Sequence, residues 1–252
     1  MHTPYKINLT LFILFMVCVA LVFATGINKD LFISINSFTA HISPFIWANL
    51  TFLGDTMAAI ALLILFIRKR PDLVWSGIIA AIIGIVIVNV LKVCFNAPRP
   101  PEVINNNIIN IIGQVPIGRS FPSGHTATIF TLAGILMFFF RPLFVRLGLI
   151  LIALLTGISR IAVGVHWTSD VLAGAAIGCL CATLGVYSVT KLGWDRNKPF
   201  QIVTGSVLIL SNLYFLIFYD CKYEQAIYLQ YLLAFITLIA GIREYYLLIR
   251  NH

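Results

Sequence analysis

The sequence predicts an all-α fold, a polytopic bundle of membrane helices. Three observations predict it. The 252 residues are 60% hydrophobic and only 10% charged, whereas a soluble domain is roughly one quarter charged. Apolar runs of about 17 to 25 residues, the length that crosses a bilayer, recur along the chain. Lysines and arginines fall between those runs, as membrane orientation requires. No basic run exceeds Arg68-Lys69-Arg70, so the formal charge of +8 belongs to loops. Nucleic acid is excluded as a partner on that ground.

Eight spans are expected, at residues 7–25, 49–67, 73–91, 126–140, 147–159, 171–190, 202–219 and 227–242. The first follows Lys6 and ends near VFATG, a tolerable signal-cleavage context. Everything after it also spans, so it is read as a retained helix. Residues 28–48 carry Phe32, Ile35, Phe38, Ile42, Phe45 and Ile46 at roughly helical spacing, the pattern of a helix lying along the interface. The fourth and fifth runs are short, and their helices are expected to extend into flanking residues. Residues 96–121, rich in Asn, Pro and Gly, form a long loop that is a candidate lid or entrance. In the sixth span, Gly174 and Gly178 form a G-x-x-x-G that suits close packing inside the bundle. Six of the expected spans fall within residues 1–200 and two within residues 201–252.

Eight spans put both termini on one side. Eleven of the 17 cations lie on that side: Lys6, Arg68, Lys69, Arg70, Arg141, Arg146, Lys191, Arg196, Lys198, Arg243 and Arg250. The remaining six are Lys29, Lys92, Arg99, Arg119, Arg160 and Lys222. The richer side is expected to be cytoplasmic. Of the five cysteines, three lie in apolar spans as small packing residues. Cys94 and Cys221 are not expected to pair, and no metal-ligand spacing is present.

Three polar segments interrupt this greasy chain: KVCFNAPRP (92–100), PSGH (122–125) and SRIAVGVHWTSD (159–170). Ionisable groups in a membrane protein are costly and mark function. The expected topology brings all three to the outer ends of the third to sixth spans. Lys92 supplies a point charge, and Arg99, stiffened by Pro98 and Pro100, a planar fork for phosphate oxygens. Ser123 and Gly124 stand where a helix begins, with a capping hydroxyl and free N–H groups that favour an anion. His125 can give or take a proton near neutral pH. His166 and Asp170 are four apart, one turn along a helix face. A carboxylate there fixes one imidazole nitrogen and frees the other to attack. Each segment alone also has a plain reading: snorkelling cations, a helix cap, an i,i+4 pair.

Together the segments resemble the type-2 phosphatidic acid phosphatase superfamily. Its signature, K-x6-R-P, then P-S-G-H, then S-R-x5-H-x3-D, is matched at every position between Lys92 and Asp170. The resemblance implies a membrane phosphatase core of six helices. It implies that His166 attacks phosphorus and forms a phosphohistidine, that Asp170 orients it, and that His125 protonates the leaving oxygen. Lys92, Arg99, Ser123, Gly124 and Arg160 would hold the phosphoryl oxygens. No metal or other cofactor is implied, because fixed cations take that place.

Nearby residues add less. Arg119 is a candidate accessory cation for a second phosphate or a headgroup, or a plain loop charge. Asp55 is expected to cap the second span, Glu102 to be solvated and Trp167 to rest at the interface. The expected function is phosphate removal from a lipid phosphate or diphosphate, with undecaprenyl diphosphate or lipid A preferred over a phospholipid phosphate. The alternatives are phosphotransfer to a second lipid, or a lipid transporter or lipid-binding protein. The expected setting is a bacterial inner membrane, with the site facing outward. Oligomeric state is not legible.

Overall fold

The structure is a computed structural model and describes residues 3–105, 107–193, 195 and 197–250. Its helices are α1 (Thr3–Thr25), α2 (Asn28–Thr39), α3 (Pro44–Phe52), α4 (Thr56–Leu63), α5 (Pro71–Phe95), α6 (Pro100–Val103), α7 (Gly124–Phe139), α8 (Leu143–Ala162), α9 (Thr168–Leu192), α10 (Lys198–Ile217) and α11 (Ile227–Arg250). Among these, α1, α5, α8, α9, α10 and α11 are long and apolar enough to cross a membrane. The chain is a multi-pass membrane protein with an all-helical bundle.

Two expected spans differ from simple rods. The second is broken: α3 and α4 are bent by 54°. Asp55 makes the break, because its Oδ1 accepts from the N–H groups of Met57 (2.7 Å) and Ala58 (3.4 Å) and starts a new helix. Gly54 permits it, since a Cβ there would lie 2.8 Å from the carbonyl oxygen of His125. The fourth, α7, has 16 residues and so reaches only about 24 Å. It begins at Gly124, inside a motif, as its short apolar run implied.

Helix α9 is packed against α1, α5 and α7. Small residues allow this. A Cβ on Gly174 would stand 2.5 Å from the carbonyl oxygen of Ser123, and one on Gly178 2.6 Å from that of Ala127. The G-x-x-x-G therefore serves the α7–α9 contact within the chain.

Residues 28–48 do not form one interfacial helix. Helix α2 is bolted to the bundle through Phe32 and Asn36, both fully buried. Asn36 Nδ2 donates to the carbonyls of Asn110 and Ile161 at 2.9 Å each, and Asn36 Oδ1 accepts from Asn110 N–H at 2.7 Å. Of the large apolar residues in this stretch, Phe38, Phe45 and Ile46 turn outward, as an interface would allow.

Helices α10 and α11 pack on each other and on α4. Buried polar pins hold them in register, including Thr237 Oγ1 to Asn212 Oδ1 at 2.6 Å. At one end of the bundle Arg68 pairs with Glu244 at 2.7 Å and Arg70 covers the Phe139 ring. Arg196, one of the eleven cations assigned to that side, lies outside the described residues. The opposite end gathers the C-termini of α5 and α8 with the N-termini of α7 and α9. All five cysteines are free.

Candidate active site

His166 sits between α8 and α9 and is 3% exposed. The chain reaches it through Gly164, whose φ of +79° and close approach to the Asn110 carbonyl admit only glycine. Its Nδ1 lies 3.2 Å from Oδ2 of Asp170, in the first turn of α9. The same oxygen accepts from the backbone N–H of Trp167 at 2.8 Å and from the hydroxyl of Ser120. Burial holds the His166 pKa well below the ordinary imidazole value, and the Arg160, Arg99 and Lys92 charges push the same way. With the ring neutral and Nδ1 donating to Asp170, the Nε2 lone pair faces Nη1 of Arg99, 3.4 Å away.

Ser120 is a site residue that sequence reasoning missed. It is fully buried, and its backbone N–H donates to the Ala97 carbonyl at 2.8 Å. Its only sequence signal is proximity, three positions before Ser123.

Three cations face this pair. Arg99 is 4% exposed and held by carbonyls: Nε donates to Gly118 (3.0 Å), Nη1 to Val165 (2.9 Å) and Nη2 to Arg119 (3.3 Å). Its Nη1 also lies 3.4 Å from His166 Nε2. Arg160, at 2% exposure, donates from Nη1 to Thr51 Oγ1 (3.2 Å) and Tyr223 Oη (2.9 Å). Its Nε is buried without a partner. Lys92, on the last turn of α5, is half-buried and within electrostatic range of Arg99, Arg160 and Asp170.

The third component is the N-terminus of α7. Ser123 caps it, accepting from the Thr126 N–H (3.4 Å) and hydroxyl (2.9 Å), and its own N–H donates to the Asp170 carbonyl at 3.0 Å. No atom lies within 4 Å of where a Cβ on Gly124 would be. Space thus remains in front of the first-turn amides, where an anion is favoured. His125 follows, within electrostatic range of Arg160, Lys92, Arg99 and His166.

Residues near the motifs sort differently. Arg119 has an exposed side chain that donates to Asn96 Oδ1 at 2.8 Å, and only its carbonyl touches Arg99. Asp55 caps α4 as expected and also accepts from the Tyr219 hydroxyl. Glu102 is exposed. Trp167 does more than rest at an interface: its indole N–H donates to the Pro98 carbonyl at 2.8 Å, tying the Arg99 loop to α9, and its ring packs edge-on against Phe32.

An apolar cavity of about 180 Å³ runs between α4, α5 and α7, lined by Ile60, Ala81, Ile85, Val88 and Leu132. Gly124 lines it too, so the greasy channel meets the polar site.

The chain is similar to known proteins. The chain matches the PAP2 superfamily over residues 72–194. It is 46% identical over 89 residues to a lipid A 1-phosphatase of Porphyromonas gingivalis, covering 34% of this chain and 18% of that protein. It is 33% identical over 129 residues to an undecaprenyl-diphosphatase of Sulfolobus acidocaldarius, covering 50% of this chain and 59% of that one. The chain thus spans less than two thirds of these relatives' own lengths. The crystal structure of Aquifex aeolicus LpxE superposes with a TM-score of 0.57 at 32% identity, over 64% of this chain and 95% of that one. With every signature position placed at one end of a membrane helical bundle, the chain belongs to the PAP2 superfamily.

Proposed function

We propose that the protein is a metal-independent lipid phosphate phosphatase that works through a phosphohistidine. The observation that carries this is the geometry at His166. Its Nδ1 is paired with Asp170, and its Nε2 faces Arg99 beside Arg160, Lys92 and the N-terminus of α7. Nε2 attacks phosphorus, and the P–O bond to the lipid breaks. His125 gives its proton to the departing oxygen, then takes one from the water that cleaves the P–N bond. Lys92, Arg99, Arg160, Ser123 and Gly124 hold the phosphoryl oxygens as charge builds on them. Removing one such donor typically costs about 10²–10³ in rate.

Several observations favour a lipid as the carrier of that phosphate. The apolar channel ends at Gly124, and the relatives are named for undecaprenyl diphosphate and lipid A. We take those two as the preferred substrates. The positive loop bias supports cytoplasmic termini, an inner-membrane location and an outward-facing site. Arg119, exposed at the rim, is positioned for a headgroup. The test is phosphate release from purified lipid phosphates in EDTA, with His166→Ala as control. Release by the wild type and an acid-labile phosphoenzyme absent from H166A are expected. Equal release by the two proteins would sink the mechanism, and release only after an acceptor lipid is added would favour phosphotransfer.

A further inference from the structure

The family match stops at residue 194, just before α10 begins at Lys198. Yet the turn between α10 and α11 reaches the phosphate site. Tyr223 is 5% exposed, and its hydroxyl is one of two acceptors for Arg160. Its ring is trapped, since a Cβ on Gly113 would lie 2.8 Å from it. The turn is itself pinned. Gln230 accepts from the Cys221 N–H at 3.0 Å and donates to the Tyr219 carbonyl at 2.7 Å. Asn49 on α3 donates to the Gln225 carbonyl at 3.1 Å.

Both hydrogen bonds of Arg160 leave from Nη1, to Thr51 and Tyr223. A guanidinium is planar, so fixing one nitrogen against two acceptors orients the whole fork. Nε, buried without a partner, and Nη2, which neither bond uses, are then the donors left for an anion. Among the charges acting on His125 and His166, that of Arg160 is the strongest on each.

We propose that Tyr223 is a positioning residue for Arg160, and that the α10–α11 hairpin is a brace that aims this guanidinium at the transferring phosphoryl group. The brace rests on the phosphate-site reading above. It gives the two added spans a role: they complete the anion site from outside the family core. The turn is where the hairpin meets Arg160, and beyond it the two helices pack on each other and on α4, pinned by Thr237–Asn212 and Ser206–Tyr245.

The test uses the full-length protein in detergent, with orthovanadate and inorganic phosphate as inhibitors. Tyr223→Phe removes one hydroxyl and keeps the ring. Losing a hydrogen bond to a charged group is expected to lower kcat/KM about tenfold. The inhibition constants for both anions should rise by a similar factor, with Tm within about 3 °C of wild type. In an Arg160→Lys background Y223F should add nothing, because the oriented fork is already gone. Ser206→Ala, which cuts the Ser206–Tyr245 bond inside the hairpin far from Arg160, should leave activity unchanged. Wild-type anion affinity in Y223F, or an equal loss in the R160K background, overturns the brace. Wild-type turnover in R160K would instead overturn the phosphate site on which it rests. Should Y223F melt early, Thr51→Val removes the other acceptor of Nη1 and is held to the same outcomes.

Discussion

Nη1 of Arg99 stands 3.4 Å from Nε2 of His166, on the ring edge opposite the one that faces Asp170. The imidazole is thus gripped from two sides with opposite charge. On one side the Asp170 carboxyl meets Nδ1, and on the other the Arg99 guanidinium meets Nε2, the nitrogen that attacks in the proposed mechanism. Backbone carbonyls, rather than acidic side chains, hold the cation. Its positive charge is therefore not cancelled by a formal anion.

Arg99→Lys tests that grip. A lysine cannot serve carbonyls of Gly118, Val165 and Arg119 from one plane. We expect kcat to fall about 10²–10³-fold, and thermal stability to drop because buried carbonyls lose their donors. Turnover within a few-fold of wild type, measured on a purified lipid phosphate, would show that charge alone is needed at this position.

Ser120 and Asp170 make the second test. Asp170→Asn presents an amide to Nδ1 and favours the wrong tautomer, a change that costs about 10⁴ in an analogous triad. Ser120→Ala removes one donor and leaves the Trp167 N–H and His166 on the same oxygen. A loss nearer tenfold is expected. Should S120A match D170N in kcat, Ser120 would be a reacting group rather than a support for the carboxylate.

The acid side of the pH profile follows from His166. Its pKa is held below the ordinary imidazole value of 6.5, first by burial and then by the three cations. The ring therefore stays neutral as pH falls through 6.5, the state the proposed attack needs. In the free protein, ¹⁵N-histidine NMR should show no protonation of His166 until well below that pH. The unfolded chain takes up that proton near 6.5 while the folded chain does not. Stability is thus full above 6.5 and declines as pH falls toward the folded pKa. A midpoint at or above 6.5 for His166 in the free protein would contradict the buried, cation-flanked environment.

Much of this was legible in the sequence because the chemistry is written in short segments. Lys92, Arg99, Ser123, Gly124, His125, Arg160, His166 and Asp170 were named from the signature the chain resembles, and the fold gathers them at one end of the bundle. What stayed hidden depends on contacts between distant segments. Hydropathy could not reveal the break at Gly54, because that glycine answers to His125, 71 positions later (125 − 54). Ser120 looked like any loop serine until the fold set its hydroxyl on Asp170. Asn36 sat in an apparently interfacial run, yet its amide meets carbonyls at the end of α8. Tyr223 lay outside every motif, and only the hairpin's turn carries it to Arg160.

Two glycines separate anion binding from packing. A methyl at Gly124 meets no atom within 4 Å, so Gly124→Ala is expected to leave Tm unchanged or slightly raised, since alanine favours a helix by up to about 1 kcal/mol. The methyl would nonetheless fill the space in front of the α7 amides. We expect kcat/KM to fall at least about tenfold, the scale of one lost hydrogen bond to a charged group. Gly178→Ala behaves oppositely. Its Cβ would stand 2.5 Å from Phe130 Cβ and 2.6 Å from the Ala127 carbonyl oxygen, forcing α7 away from α9 at a cost of about 1–3 kcal/mol. That variant should melt early, and its activity should fail with its fold. Turnover and melting measured side by side separate the two cases. Full activity in G124A would move the phosphate away from the start of α7, and an undiminished Tm in G178A would show that the α7–α9 contact yields more easily than its backbone spacing implies.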